Sequence, residues 1–127
     1  MVEANMTKIL TIGLHPSVID YSKHPDLDEA TLTARIEQGM GALRAAGFDA
    51  VSCPIGTDPD AAEEFIRERL SEAHFDVVVI GAGVRMAPEH TILFERLINL
   101  LAATAPGIRF CFNTSPETTI DAIRRWV

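Results

Sequence analysis

Cysteine is scarce in this sequence, with only Cys53 and Cys111 among 127 residues. Two separate cysteines without C-x-x-C spacing form neither a zinc site nor a redox pair. We therefore expect both thiols to be buried apolar residues. A reactive thiolate at Cys53 is the alternative, but it would need a stabilising cation that the adjacent residues do not supply.

Long hydrophobic runs and basic clusters are also missing. No uncharged apolar stretch reaches the roughly 20 residues that span a bilayer. Residues 1–5 carry Glu3 and lack the basic and apolar segments of a secretory signal. The formal net charge is −7, and there is no stripe of Lys and Arg that would bind a phosphate backbone. We therefore expect a cytoplasmic protein that binds neither membranes nor nucleic acid.

Four apolar strand candidates alternate with four helix candidates along the chain. The strands are predicted at residues 9–14, 50–53, 77–80 and 108–112, and three are almost continuously apolar, as expected of strands buried on both faces. This alternation predicts one α/β domain, residues 1–127, folded as a three-layer αβα sandwich with a four-stranded parallel sheet. The favoured strand order is 2-1-3-4, as in flavodoxin-like or half-Rossmann layouts, and 3-2-1-4 is the alternative.

The first two helices are marked by their ends as well as by their apolar residues. Asp26 and Glu29 form a capping-box pattern, and the helix that follows stops at Gly47. Asp58 followed by Pro59 is typical of a second helix start. The apolar stripe of the first helix consists of Leu32, Ile36, Met40 and Leu43, at a 4-4-3 spacing.

The third helix is predicted from Pro88 to about Ala103 and is apolar around most of its circumference. Its apolar residues are Ile92, Leu93, Phe94, Leu97, Ile98, Leu100 and Leu101. A single core-facing stripe requires fewer, and an exposed patch of that size is uncommon on a monomer. We therefore expect a homodimer that forms through the helix 90–103. The alternative is a helix that lies deep in its own core.

Two loops are predicted to meet at the C-terminal edge of the sheet. In open parallel sheets, ligands bind beyond the carboxyl ends of the strands, where successive connections turn to opposite faces. With the order 2-1-3-4, this point lies between the first and third strands and brings loops 14–27 and 81–88 together. With the order 3-2-1-4, the turn that contains Asn113 and Thr114 would face the first loop instead.

The first loop is longer than the roughly 2 to 6 residues that are usual for such connections. Its side chains that can bind a ligand or transfer a proton are His15, Ser17, Asp20, Tyr21, Ser22, Lys23 and His24. His15 is the predicted general acid or base, and Asp20 or Glu89 is the residue predicted to orient it. The alternative is an ordinary polar surface loop with solvated histidines.

The second loop begins with Gly81-Ala-Gly-Val-Arg85 and resembles a nucleotide-binding turn only in outline. A methionine stands where a dinucleotide fingerprint has its third glycine or alanine, and there is no Walker lysine. We therefore expect neither an NAD site nor an ATP-type phosphate loop. The remaining prediction is an anion held by backbone amides at Gly81 and Gly83 and by Arg85. In the alternative, Arg85 pairs with Glu89 or Asp20 across a tight structural turn.

Further polar residues are expected at the same edge. Glu89 and His90 follow the second loop, while Asn113 and Thr114 end the last strand before a helix whose free amides can accept an anion. Capping of that helix explains Asn113 and Thr114 equally well. The histidines and carboxylates lack the spacing of HExxH or another metal motif, so we predict no metal ion and no other cofactor.

The layout resembles receiver domains and flavodoxins, but the residues that carry their functions differ. A receiver has an aspartate where Ile80 and Gly81 stand. A flavodoxin has a hydroxyl-rich phosphate loop after its first strand, whereas residues 13–17 are more apolar and are constrained by a proline. Phosphoacceptor signalling and FMN binding are therefore not expected. More specific segments are Gly81-Ala-Gly-Val-Arg85, Pro88-Glu89-His90, Phe112-Asn113-Thr114 and Arg125-Trp126-Val127. Together they resemble a group of small uncharacterised bacterial proteins, which implies a complete single-domain bacterial protein and no particular activity.

The sequence therefore favours binding of a small metabolite that bears a phosphate or a carboxylate. Its predicted place is between the first loop and residues 81–85. The alternative function is a non-catalytic homodimeric binding or adaptor module that associates through the third helix. No residue pattern identifies a reaction class.

Overall fold

Four parallel strands form the centre of the structure, a computed structural model that describes residues 7–127. The strands are β1 (Lys8–Leu14), β2 (Asp49–Ile55), β3 (Val77–Ile80) and β4 (Arg109–Phe112). Their order in the sheet is β2-β1-β3-β4, which confirms the predicted α/β fold and the order 2-1-3-4. The N-terminal segment on which the prediction of a missing secretory signal depends lies outside the described residues.

Helices cover both faces of the sheet. They are α1 (Glu29–Ala45), α2 (Pro59–Glu72), α3 (Ala82–Arg85), α4 (Thr91–Thr104) and α5 (Thr119–Arg124). Short 3₁₀ turns lie in the connections at Pro16–Val18, Tyr21–Lys23, Pro88–His90 and Pro116–Thr118. Helices α1 and α5 pack on one face, while α2 and α4 pack on the other, so the fold has three layers. In the part of the chain that the structure describes, no helix has both the length and the apolar character needed to cross a membrane.

Alternation along the strands divides the apolar residues between two cores. Successive side chains of a strand point to opposite faces of the sheet. Leu10 of β1 therefore packs in the cluster that contains Ile66 of α2 and Leu97 of α4. Its neighbour Ile9 packs in the second cluster with Leu43 of α1. Each fully buried aliphatic side chain contributes about 1.5–3 kcal/mol relative to exposure, so these central residues dominate the stability of the sheet.

Helix α1 begins later than the capping-box pattern predicts. Asp28 is its N-cap, and the carboxylate of Asp28 accepts a hydrogen bond from the Thr31 amide at 2.7 Å. Asp26 cannot take this role because the chain still turns around it, with the Leu27 amide donating to the carbonyl of His24 at 3.0 Å. The prediction of Asp26 as the cap was therefore wrong. The predicted stop at Gly47 is confirmed, since its φ of 92° is a left-handed conformation that glycine adopts without strain.

Helix α4 places most of its apolar residues in its own core. The fully buried ones are Leu93, Leu97, Leu100 and Leu101. Phe94 and Ile98 are half-buried and pack against the same cluster. Ile92 remains 59% exposed. Burial within the chain thus accounts for most of the apolar circumference, and dimerisation through α4 stays a prediction.

Helix α1 approaches the turn Pro116–Thr118 closely at Gly39. A Cβ atom added to Gly39 would lie 2.8 Å from the carbonyl oxygen of Pro116. That distance is shorter than van der Waals contact, so the absence of a side chain at this position permits the packing. A Cβ atom at Gly41, on the same helix, would meet no atom within 4 Å.

We predict that Gly39→Ala and Gly41→Ala change the free energy of unfolding in opposite directions. Gly41→Ala should stabilise the protein by about 0.5–1 kcal/mol because alanine loses less backbone entropy than glycine in a helix. Gly39→Ala should destabilise it by about 1–3 kcal/mol because α1 and the Pro116 turn would have to move apart. Urea denaturation followed by circular dichroism measures both effects. Equal stabilisation by the two substitutions would contradict the close approach at Gly39.

Candidate functional site

The loops that follow β1 and β3 meet at the point where the sheet reverses its direction of winding. The connection after β1 leads to α1 on one face, while the connection after β3 leads to α4 on the other. An ion pair joins the two loops, with the Lys23 Nζ atom 3.3 Å from the Glu89 Oε2 atom. The C-terminal edge between β1 and β3 is therefore the place where a ligand of such a fold is expected.

A cleft of about 580 Å³ opens at this edge between α1 and the sheet. Small residues on the α1-facing side of the sheet form its floor, among them Thr11, Gly13, Ser52 and Gly81. A Cβ atom added to Gly13 would meet no atom within 4 Å, so it would project into open space. Volumes of roughly 300–1,000 Å³ are typical of small-molecule sites.

The cleft exists because side-chain size changes along one face of the sheet. Nearer the strand starts, Ile9 and Val77 occupy this face and pack in one cluster with Leu43 of α1. Further along the same face stand Thr11 and Ser52, which are partners in the β1–β2 register. The Thr11 hydroxyl reaches the Sδ atom of Met40 at 3.5 Å, but Thr11 and Ser52 are too short to fill the space beneath the first half of the helix. The face is consequently covered at one end and open at the other.

The first half of α1 forms the roof of the cleft. Leu32 and Ile36 are half-buried and line the cleft, Met40 is buried and also lines it, and Leu43 is buried in the core. The apolar stripe predicted for this helix therefore lines the cleft at Leu32, Ile36 and Met40 and is buried at Met40 and Leu43. The sheet residues that line the cleft include the small Gly13, Ser52 and Gly81.

Two histidines of the first loop, His15 and His24, line the cleft and are exposed. The Nδ1 atom of His15 accepts a hydrogen bond from the Ser17 amide at 3.1 Å and lies 2.8 Å from the Ser17 hydroxyl oxygen. An amide donor requires an unprotonated Nδ1 atom, so the neutral ring carries its proton on Nε2. The hydrogen bond that His15 can donate to a ligand therefore comes from Nε2.

Asp20 and Glu89, the carboxylates predicted to orient His15, are engaged elsewhere. The Asp20 carboxylate accepts hydrogen bonds from the hydroxyl and the amide of Ser22, and both lower the pKa of Asp20. Glu89 accepts from Lys23. Its own backbone amide and Lys23 lower the pKa of Glu89. Both carboxylates stabilise the loops in this arrangement, so a catalytic role for His15 with either one stays a prediction.

The remaining polar residues of the first loop mainly hold the loop together. The Tyr21 hydroxyl donates to the Pro16 carbonyl at 2.6 Å, and desolvation raises the pKa of Tyr21. Within the first loop, Ser17 bonds to His15, and Lys23 of this loop pairs with Glu89. Outside this loop, His90 is the residue before α4 and is not among those that line the cleft. Of the ligand-binding candidates in this loop, the structure brings His15 and His24 to the cleft.

Arg85, the cation predicted to hold an anion, is not among the residues that line the cleft. Its guanidinium group donates to the backbone carbonyl of Asn113. The Cζ atom of Arg85 also lies 5.2 Å from the centre of the Phe112 ring, within the range of a cation–π contact. Its Nε atom is buried without a hydrogen-bond partner among residues 7–127. These contacts direct Arg85 to β4 instead of to the first loop.

The segment after β3 forms the short helix α3 where the sequence predicted a glycine turn. Gly81 and Gly83 line the cleft. The amide of Gly81 donates to the Ile12 carbonyl at 2.8 Å, and the amide of Ala82 donates to the Asn113 Oδ1 atom at 3.1 Å. These two backbone donors are therefore engaged within the protein.

Asn113 and Thr114 line the cleft with polar groups that are already paired. In addition to accepting from α3, Asn113 donates from Nδ2 to the hydroxyl oxygen of Thr119 at 2.9 Å. The Thr114 amide donates to the hydroxyl oxygen of Thr118 at 2.9 Å. Asn113 thereby joins the end of β4 to α3 and α5, which favours the structural interpretation of both residues.

Arg35 of α1 lines the cleft and was missed by the sequence analysis. Its Nε and Nη2 atoms donate to the two carboxylate oxygens of Glu117, both at 2.7 Å. The side chain of Arg35 is 37% exposed and that of Glu117 is 53% exposed. Hydrogen bonding to Arg35 lowers the pKa of Glu117 to about 2. The sequence signal was slight, since Arg35 stands beside Ile36 at the border of an apolar stripe, as solvated arginines often do.

Within the described part of the chain, the metal-binding and nucleophilic side chains outside the cleft form no second site. Among residues 7–127, no group of three or more His, Cys, Asp and Glu side chains could hold a metal ion. Cys53 and Cys111 are buried and free, as predicted, and burial raises the pKa of each thiol to about 11. They are therefore uncharged near neutral pH.

The chain matches no protein-family model, and no curated protein is significantly similar to it in sequence. Its class is therefore defined by the fold and the site: a parallel α/β protein with a cleft at the carboxyl ends of its central strands.

We predict that the pairing of Arg35 with Glu117 makes stability sensitive to acid. The folded-state pKa of Glu117 is about 2, below the value of about 4.3 for a free glutamate. The pair therefore stabilises the fold fully above about pH 5. This contribution is lost as the pH falls from about 5 to the folded-state pKa of about 2. Glu117→Gln should be less stable than the wild type by about 0.5–1 kcal/mol at neutral pH, a value reduced by solvent screening. The difference should vanish near the folded-state pKa.

Urea denaturation at several pH values measures this difference. Glu64→Gln is a suitable control because Glu64 is exposed on α2, away from the Arg35 contact. A stability difference between Glu117→Gln and the wild type that did not change with pH would contradict the prediction.

Proposed function

We propose that this protein binds a small metabolite bearing a carboxylate or a phosphate in the cleft beneath α1. The uncovered half of the sheet face supports the proposal. Thr11, Gly13 and Ser52 leave about 580 Å³ beneath the half-buried side chains of Leu32 and Ile36. Protein interiors normally fill such space, and a ligand there would remove apolar surface from water.

Polar groups at the cleft suit an anionic ligand. His15 and His24 reach it from the first loop, and Arg35 reaches it from α1, which also contributes the exposed carboxylate of Glu37. The chain as a whole carries a net charge of −7, which disfavours the approach of anions. Local donors must therefore supply the attraction. A mainly apolar lining with a few polar groups is typical of small-molecule sites, and the proposal keeps the cytoplasmic location predicted from the sequence.

The proposal assigns binding and no reaction. His15 remains our candidate for proton transfer because it lines the cleft and carries a transferable proton on Nε2. Asp20 and Glu89 are bonded to Ser22 and Lys23. The group that orients the His15 ring in this arrangement is therefore the backbone amide of Ser17.

We predict that Gly13→Val abolishes ligand binding without unfolding the protein. The new side chain would project into open space, and valine is favoured in strands, so Tm should not fall. A thermal-shift screen of carboxylate and phosphate metabolites with the wild type should yield ligands. A ligand at a hundred times its Kd should stabilise the wild type by about 2.7 kcal/mol. It should not stabilise Gly13→Val.

The matched control is Gly41→Ala, which also adds carbon where a Cβ atom meets no other atom. Gly41 is exposed on α1 and does not line the cleft, so this variant should retain the ligand-induced shift. Ligands that stabilised Gly13→Val as much as the wild type, or a screen without any ligand, would contradict binding in the cleft.

The alternative function is a homodimeric binding or adaptor module that associates through α4. Ile92 favours it, since this large apolar side chain is 59% exposed. Its neighbours one and two turns along the same face, Glu95 and Asn99, are polar and exposed. The apolar area available to a partner is therefore small, and we rank binding in the cleft first.

Dimerisation through α4 predicts a mass of twice 13.9 kDa in light scattering at micromolar concentration. Ile92→Lys should shift that mass to the monomer value because it places a charge in the interface. Val18→Lys, at a position 40% exposed in the first loop, should leave the mass unchanged. A monomeric wild type would exclude this alternative.

A further inference from the structure

A permanent positive charge near the cleft would attract the anionic group of a ligand and bind it with charged hydrogen bonds. Among the described residues that line the cleft, Arg35 is the only lysine or arginine. Arg85 is directed toward Phe112 and the Asn113 carbonyl. The charge available to a ligand in the cleft is therefore that of Arg35.

Glu117 occupies only one edge of the Arg35 guanidinium group. The two hydrogen bonds to Glu117 come from Nε and Nη2. A guanidinium group has five N–H donors in a fixed planar arrangement, so the edge between Nη1 and Nη2 retains donors that Glu117 does not use. That edge has the geometry for two parallel hydrogen bonds to a second carboxylate.

The cleft surfaces that α1 and the first loop provide are mainly apolar, although Glu37 also lines the cleft from α1. Leu32 and Ile36 line the cleft from α1, and Ile19 and Leu27 line it from the first loop. All four side chains are half-buried. A polar body, such as a sugar or a nucleoside, would lose hydrogen bonds to water that these four side chains cannot replace. A hydrocarbon chain or ring would gain free energy from burial there.

We propose that the ligand is an apolar monocarboxylate whose carboxylate binds Arg35 and whose hydrocarbon body lies between α1 and the small residues of the sheet. Glu117 weakens this binding, because its negative charge neutralises Arg35 and repels the incoming carboxylate. This inference rests on the proposed function, since it names the ligand class of the same cleft. It assigns Arg35 as a binding residue and Glu117 as the residue that sets its affinity.

Butyrate, octanoate and 1-octanol are suitable probes in calorimetric or NMR titrations of the full chain. Octanoate should bind more tightly than butyrate by about fourfold for each additional methylene buried. Arg35→Met should weaken octanoate binding by about tenfold to a hundredfold, because it removes charged hydrogen bonds. Glu117→Gln should strengthen octanoate binding by about fivefold, because it removes a like charge near the carboxylate. The affinity for 1-octanol should change little in either variant.

In Arg35→Met the charge of Glu117 has lost its partner, and this unpaired charge could itself disturb the fold or repel the ligand. The double variant Arg35→Met/Glu117→Gln controls for that effect. It should fold like the wild type by circular dichroism and bind octanoate about fivefold more tightly than Arg35→Met alone, because the repelling charge of Glu117 is gone, but still more weakly than the wild type. Recovery of wild-type octanoate affinity in the double variant would overturn the role of Arg35.

The remaining outcomes separate this inference from the proposed function. Octanoate binding that Gly13→Val abolishes but Arg35→Met leaves unchanged would overturn the role of Arg35 and leave the cleft as the site. Suppose that inorganic phosphate or a phosphate ester binds, that octanoate does not, and that Gly13→Val abolishes the phosphate binding. This result would overturn only the ligand class. If no anionic probe bound the wild type, both the inference and the proposed function would be overturned.

Discussion

The volume of the side chains on one face of the sheet determines where α1 can pack. A helix of 17 residues is a stiff rod about 25 Å long, so it cannot follow a surface that steps down beneath it. Ile9 and Val77 support its C-terminal half, while Gly13 and Ser52 leave open space beneath its N-terminal half. The cleft is the direct result of a straight helix over a stepped surface.

Two contacts with the turn Pro116–Thr118 hold α1 over that step. Gly39 allows the helix and the Pro116 carbonyl to approach closely, and Arg35 joins Glu117 one helical turn earlier. The first contact depends on the absence of a side chain, and the second depends on complementary charge. The turn also follows β4, so the position of α1 over the cleft is coupled to this edge strand of the sheet. The width of the cleft is therefore a tertiary property that no single element determines.

The sheet was predictable because its signals are local and agree with one another. Continuous apolar runs such as Val77–Ile80, the Asp58-Pro59 helix start and the glycine at residue 47 each indicated the element that the structure contains. The site was less predictable, because the same polar side chains suit ligand binding and loop hydrogen bonds. Arg35 and Glu117 are separated by 82 positions and meet only through tertiary packing. Thr11 and Gly13, which interrupt the apolar run of β1, were the available signal for the cleft.

Most of the side-chain hydrogen bonds of the first loop are made within the loop. His15 bonds to Ser17, Asp20 bonds to Ser22 and the Tyr21 hydroxyl bonds to the Pro16 carbonyl, so these contacts close over short stretches of chain. A segment with this property can change its outward side chains through evolution while the β-sheet stays intact. Selection for a new ligand could therefore act on the loop as a separable module, and homologous chains could share one scaffold while differing in what they recognise.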